Sequence, residues 1–234
     1  MHLLGMLLAV LACTGCAFTP GVRVAPAQDA SAAGMLDVAM LAPDLHIDMR
    51  YAGSNNFTGA RVEGYEAPRC YLLAPVAEAL ARVQASVLAQ GLSLVVYDCY
   101  RPVRAVQHFV AWARDASDQR TKADYYPRLD KSRLLDGYIA ETSGHSRGAT
   151  LDVGLLRCDA GTRCAPLDMG TAFDLFDTRA NTDSPEVTQV QRANRQQLLQ
   201  AMRAEGFENY PLEWWHYTFR PEPSPHTAYD FPVK

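Results

Sequence analysis

Ser143-Gly144-His145-Ser146-Arg147-Gly148-Ala149-Thr150-Leu151-Asp152-Val153-Gly154-Leu155-Leu156 joins a glycine-flanked turn to a β-branched, apolar run, and the rest of the chain is read outward from that joint. Gly144 and Gly148 permit the tight backbone that aims His145, while Thr150 to Leu156 has strand composition and carries Asp152. A carboxylate in an apolar strand costs several kcal/mol unless it is paired or bound to a cation. A second segment, Glu213-Trp214-Trp215-His216, adds an imidazole and another carboxylate. His145, Asp152 and His216 then supply three positions of a tetrahedral zinc site with the fourth open to water, as hydrolytic sites require. Glu213 is left over as a general base.

The second segment is not the helical HExxH arrangement. Glu213 and His216 lie three apart in an aromatic stretch, Trp214 to Phe219, with strand character. On a flat strand their opposite parity would send them to opposite faces, so a bulge or the start of a strand near Pro211 must bring them together.

Elsewhere, Ala74-Pro75 opens an amphipathic helix to Gln90, stopped at Gly91, and Leu92 to Tyr97 is the most apolar strand. A second helix starts from Pro102, with Val103, Val106, Phe109, Val110 and Trp112 at helical spacing. Tyr125 to Ala140 reads as irregular. Ser184-Pro185-Glu186 is expected to cap a long helix through Gln200, closed at Gly206. Elements do not alternate regularly, so the expected fold is α+β, with helices packed on a small, mostly antiparallel sheet whose face carries the metal.

The 234 residues, 48% of them hydrophobic, fit one globular domain, and a formal charge of −4 without a basic tract argues against nucleic acid as a partner. Leu3 to Ala12 is apolar but too short to span a bilayer, and Cys13-Thr14-Gly15-Cys16 follows. Residues 1–16 therefore read as a bacterial export signal of lipoprotein type, with Cys16 as the lipidated residue, Cys13 as a second candidate and an ordinary cleaved signal as the alternative. Residues 17–34, rich in Ala and Pro, are expected to be a tether, and 35–234 the catalytic domain. The implied location is the periplasm or cell envelope, lipid-anchored or soluble. Cys70, Cys99, Cys158 and Cys164 then remain in an oxidising compartment; Cys158 and Cys164 flank a short loop that closes easily, and Cys70 and Cys99 pair by elimination. A structural zinc on these four is disfavoured because neither spacing is CxxC.

The chain resembles a known family, the zinc D-alanyl-D-alanine dipeptidases of the VanX type, within the zinc D,D-peptidases related to the hedgehog fold. The resemblance runs through Asp48-Met49-Arg50-Tyr51, Asn56-Phe57-Thr58-Gly59, Gly64-Tyr65-Glu66, Tyr97-Asp98-Cys99-Tyr100-Arg101-Pro102, the His145 turn, Met169-Gly170-Thr171-Ala172-Phe173-Asp174, Glu213 to His216 and Asp230-Phe231-Pro232-Val233-Lys234. It covers nearly everything after about residue 35. It implies that His145, Asp152 and His216 hold zinc, that Glu213 handles the proton and that Arg101 steadies the developing oxyanion. It also sets Ser143, Tyr51 and Asp174 around a small substrate, with Asp174 facing its ammonium end, and names no partner for the substrate carboxylate. The chain departs from the family at its four cysteines, Cys99 above all, a departure expected to bear on stability rather than chemistry.

Residue by residue, blander roles compete. His2, His46, His108 and His226 are assigned as structural or solvated; Arg101 could simply pair with Asp98, Asp174 could cap a turn, and Trp214 and Trp215 read as core and pocket wall. The expected activity is zinc-dependent hydrolysis of D-alanyl-D-alanine. Its rivals are a D,D-carboxypeptidase or endopeptidase acting on longer peptidoglycan stems and a zinc-stabilised binding module without catalysis, which would have no use for an unligated Glu213.

Overall fold

The computed structural model describes residues 21–159 and 163–234. In chain order the elements are β1 (Arg23–Val24), β2 (Met35–Asp37), β3 (His46–Ile47), β4 (Tyr71–Leu73), α1 (Ala74–Leu88), β5 (Leu92–Asp98), α2 (Val103–Arg114), α3 (Lys122–Tyr125), β6 (Thr150–Cys158), β7 (Cys164–Pro166), α4 (Gln189–Ala204), β8 (Phe207–Asn209), β9 (His216–Phe219) and β10 (Thr227–Ala228). Short 3-10 turns fill several connections, among them Gly144–Arg147.

The central sheet runs β3-β5-β6-β9-β8, with β7 folded back on β6 as a hairpin. Only β3 is parallel to its neighbour β5; every other pairing in this sheet is antiparallel. The expected α+β fold, helices on a mostly antiparallel sheet, is what forms. β5 is buried along its whole length and β6 from Thr150 to Leu156, the signature of strands covered on both faces.

α1 begins with Pro75 in its first turn, where a missing N–H costs nothing, and buries Val76, Ala77, Leu80, Val83 and Val87 as a stripe against β5. Gln84 lies in the same stripe and is fully buried, but its amide donates to Ser93 Oγ at 3.0 Å and its oxygen accepts from the Leu94 N–H at 2.9 Å. Such mutual satisfaction makes a buried amide tolerable. α4 packs beside α1 and against β8.

Two expectations need correction. Thr188, not Ser184, caps α4: Thr188 Oγ1 accepts from Gln191 N at 3.3 Å while Gln191 Oε1 accepts from Thr188 N at 2.8 Å, a complete capping box. Ser184 instead closes a local turn, accepting from Glu186 N at 3.4 Å. The other correction concerns 17–34. Its described part, from residue 21, is no free tether: Arg23–Val24 pairs in parallel with Thr227–Ala228, and Ala33 is buried in the core. Residues 1–20, with Cys13 and Cys16, lie outside the described residues. Among the described residues, no helix is long and apolar enough to cross a membrane.

Both expected disulfides, Cys70–Cys99 and Cys158–Cys164, are present. All four described cysteines are therefore engaged, and none is free to hold a metal.

Candidate active site and metal centre

The pairing of three adjacent strands builds the site. Register sets Asp98 of β5 opposite Asp152 of β6, and Asp152 opposite His216 of β9, so three polar side chains form one row across the sheet. A register shift between Val96 and Asp98 turns Asp98 into that row.

His145 reaches the row from the turn before β6. Ser143 caps that turn, its Oγ accepting from His145 N at 3.2 Å, and Gly148 ends it with φ of 73°. That left-handed dihedral demands glycine, and a Cβ there would also push on Met35 Cε, 2.5 Å away at the end of a flexible side chain.

His145 Nε2, His216 Nδ1 and Asp152 Oδ1 face one another. The separations are 3.3 Å between the two nitrogens, 3.4 Å from Asp152 to His145 and 3.0 Å from Asp152 to His216. Donors held at about 2.0–2.1 Å from a zinc ion at tetrahedral angles lie about 3.3 Å apart, so these three atoms already form one face of a tetrahedron. The set is two nitrogens and one oxygen, right for zinc, and it leaves one vertex open. His145 Nδ1 lies 2.8 Å from the carbonyl oxygen of Cys99. A carbonyl can only accept, so Nδ1 carries the proton and Nε2 keeps its lone pair for the metal. Burial raises the pKa of Asp152, but the two imidazoles outweigh it and hold the carboxyl well below its usual range.

Glu213 stands just before β9, in a turn where its N–H bonds to Tyr210 O at 3.0 Å and its carbonyl accepts from His216 N at 3.3 Å. That turn resolves the parity problem: Glu213 Oε2 comes within 3.6 Å of His216 Nδ1 without being one of the three facing donors. Burial pushes its carboxyl up to about 7, opposed by His216 and reinforced by Asp152. A base near neutrality is well matched to proton transfer.

Arg101 does pair with Asp98, and it lines the pocket as well. Its Nε and NH2 lie 2.9 and 2.8 Å from Asp98 Oδ2, and its guanidinium packs 5.3 Å from the Tyr51 ring centre and 5.0 Å from that of Phe109. Asp98 is fully buried, accepts from Tyr65 Oη at 2.6 Å and approaches His145 Nδ1 at 3.4 Å. Asp98 is more than a bland partner: it fixes Arg101, an arginine that lines the pocket. Its position at the end of the most apolar strand was the available signal.

The pocket holds about 240 Å³. Tyr51 and Asp174 line the same pocket as His145, Asp152 and His216, joined by hydrogen bonds of 2.9 and 3.1 Å from the tyrosine hydroxyl. Asp174 adopts a φ of 63°, uncommon for a non-glycine residue, which turns its carboxyl into the pocket. Burial first, then repulsion from Asp152, raises its pKa well above the usual value. Ser143 also lines the pocket, though its hydroxyl already serves the His145 turn. Trp215 is buried and forms pocket wall, while Trp214 N donates to Ala180 O at 3.0 Å and its indole to Thr171 Oγ1 at 2.8 Å. The irregular segment contributes Gly137, Tyr138, Ile139 and Ala140 to the wall, a role its sequence does not disclose.

The backbone carbonyl of Cys99, which any residue at that position would supply, is the acceptor that orients His145.

With that geometry in view, the family profile described as D-ala-D-ala dipeptidase matches residues 31–234. The chain belongs to this family of zinc peptidases. It is 40% identical over 188 residues to a D-alanyl-D-alanine dipeptidase of Enterococcus faecium, covering 80% of this chain and 92% of that one. It is 42% identical to the protein of that name from Streptomyces coelicolor, covering 80% and 91%, and 32% identical to that of Escherichia coli, covering 78% and 83%. Among solved structures, a zinc complex of a variant of the vancomycin resistance D,D-pentapeptidase VanY shares 15% identity over 64% of this chain and 73% of its own, with a TM-score of 0.40.

Proposed function

We propose that the chain hydrolyses the free dipeptide D-alanyl-D-alanine. The observation that carries this reading is that a buried carboxylate, Asp174, lines the same pocket of about 240 Å³ as His145, Asp152 and His216.

Zinc, when bound by His145, Asp152 and His216, supplies Lewis acidity toward the scissile carbonyl and acidifies a water. Glu213, whose Oε2 lies 3.6 Å from His216 Nδ1, would take the proton of the attacking water and return it to the departing amine. Arg101, immobilised by Asp98, offers its guanidinium to the negative charge that develops on the carbonyl oxygen. Asp174 receives the substrate ammonium, and Tyr51 keeps that carboxylate aimed. Trp215, Phe109 and Tyr138 line the cavity with ring surface and limit water.

The paired cysteines support an oxidising compartment and hence export. With the apolar N-terminus, this favours a periplasmic enzyme anchored by lipid at Cys16. The deciding experiment is a substrate panel on the zinc-loaded protein: D-Ala-D-Ala should be cleaved far faster than its N-acylated form or longer stem peptides. Equal or faster cleavage of acylated stems makes it a carboxypeptidase.

A further inference from the structure

We propose that the Cys70–Cys99 disulfide is a positioning device for the metal ligand His145, setting the protein's zinc affinity rather than only its stability. The inference rests on the zinc reading of His145, Asp152 and His216.

The argument begins with what Cys99 touches. It follows Asp98 directly at the end of β5, and its carbonyl oxygen is the acceptor, 2.8 Å away, for the ring N–H of His145. The bonding is returned two residues later, where Arg101 N donates to the carbonyl of His145 at 3.3 Å. Between them, Tyr100 N donates to Tyr71 O at 3.0 Å, tying the same strip to β4. β4 is in turn laced to the His145 turn, with Leu73 N donating to Gly148 O at 2.9 Å. Three backbone segments therefore meet around His145, and the disulfide is a covalent bond among them, joining Cys70, immediately before β4, to Cys99 at a Cα separation of 5.2 Å.

Both cysteines are fully buried. Two free thiols take up more room than one S–S bond, and neither residue has solvent to move into. Opening the bond must therefore shift the backbone of one of them. Cys70 is held through its carbonyl, which accepts from Val38 N at 2.9 Å. Movement at Cys99 displaces the acceptor that fixes the tautomer and ring plane of His145. Partners of this kind, one bond removed from the metal, typically change metal affinity ten- to a hundredfold when disturbed.

The second disulfide is an internal control. Cys158–Cys164 spans the β6–β7 hairpin. Six residues of strand separate Cys158 from Asp152, about 20 Å at strand rise. It bonds to nothing in the site.

The test compares Cys70→Ser/Cys99→Ser with Cys158→Ser/Cys164→Ser and the unaltered full chain, each titrated with zinc in competition with a chromophoric chelator. Thermal unfolding and the NMR signal of the His145 Nδ1 proton are followed in parallel. The first pair should bind zinc at least about tenfold more weakly and lose or shift that proton signal, while remaining folded. The second should keep affinity within about twofold, however much stability it loses. Equal affinity in all three proteins overturns the inference and leaves the zinc reading intact; failure of the unaltered chain to bind zinc overturns the zinc reading itself. Should the serine pair not fold, Cys70→Ala/Cys99→Ala repeats the measurement. Loss of folding in that variant too would assign the bond to stability and end the positioning role.

Discussion

Tyr51 and Asp174, 123 residues apart in sequence, meet through a phenol-to-carboxylate hydrogen bond of 2.9 Å inside the protein. The pair is asymmetric in consequence. Burial and Asp152 make the Asp174 carboxylate costly to ionise, and the tyrosine supplies one donor where a charged carboxylate would welcome a cation. A substrate ammonium completes the arrangement.

Tyr51→Phe and Asp174→Asn should therefore damage turnover of D-Ala-D-Ala most and turnover of N-acylated analogues least. Leaving a buried charged group without its partner costs about 1–3 kcal/mol or more, so kcat/KM for the dipeptide should fall by roughly tenfold to over a hundredfold in Asp174→Asn. A variant that loses activity equally on both substrates would show that Asp174 does not read the amine.

Glu213→Gln should retain zinc, since Glu213 is not one of the three facing donors, yet lose rate by about 10²–10⁴-fold. His216→Ala should instead lose the metal, measurable by elemental analysis. The pH dependence follows from the sign of the Glu213 shift. Its carboxyl, raised to about 7 by burial, must be ionised to accept a proton, and a cation at the neighbouring donors draws its pKa down. The acid limb of kcat/KM should accordingly lie below pH 7. A limb that survives unchanged in the residual activity of Glu213→Gln would assign it to another group.

The candidate metal donors that the fold brings together are legible in sequence because local chemistry isolates them: a glycine-bounded turn before His145, and a carboxylate in an apolar strand at Asp152. The convergence of Glu213 with His216 was legible only as a requirement, met by the turn from Tyr210 to Glu213. Asp98 was not, because its meaning comes from Tyr65, Arg101 and His145, which reach it across separate segments. Similarly, nothing local makes Arg23–Val24 a strand; its partner Thr227–Ala228 lies at the other end of the chain. At the start of α4, Ser184 and Thr188 offer equivalent capping chemistry. Thr188 has Gln191 three residues on to complete the box, while Arg192 NH2 donates to the Ser184 carbonyl at 3.3 Å and holds it in the preceding turn.

Protein recovered from its native compartment should show Cys158 joined to Cys164 and Cys70 to Cys99 by non-reducing peptide mapping. Mass analysis of the mature N-terminus tests the anchor: a lipid on Cys16 is expected. An unmodified start beyond residue 16 would mean a soluble periplasmic enzyme, and free thiols at both pairs would remove the argument for export.

Asp177 governs the acid stability of the segment that follows Asp174. Its side chain is buried, accepts from the Arg179 backbone N–H at 2.9 Å and from Arg179 Nε at 3.1 Å, and takes Arg128 Nε at 2.6 Å. Burial alone would raise its pKa, but hydrogen bonds from Arg179 and Arg128 overcome it and pull the carboxyl down to about 2. A group whose pKa is lower in the folded than in the unfolded chain stabilises the fold above the unfolded value, about 3.9, and loses that contribution as pH falls through the folded one. The full shift corresponds to roughly 2.6 kcal/mol, and the partial exposure of both arginines reduces it. Asp177→Asn should thus be less stable than the parent by up to about 2 kcal/mol at pH 6, with the gap closing between about pH 4 and pH 2. Urea unfolding of the two proteins side by side reads this difference directly, because zinc loss at low pH affects both alike. A gap that stays constant down to pH 2 would mean that the asparagine is penalised by packing rather than by lost charge.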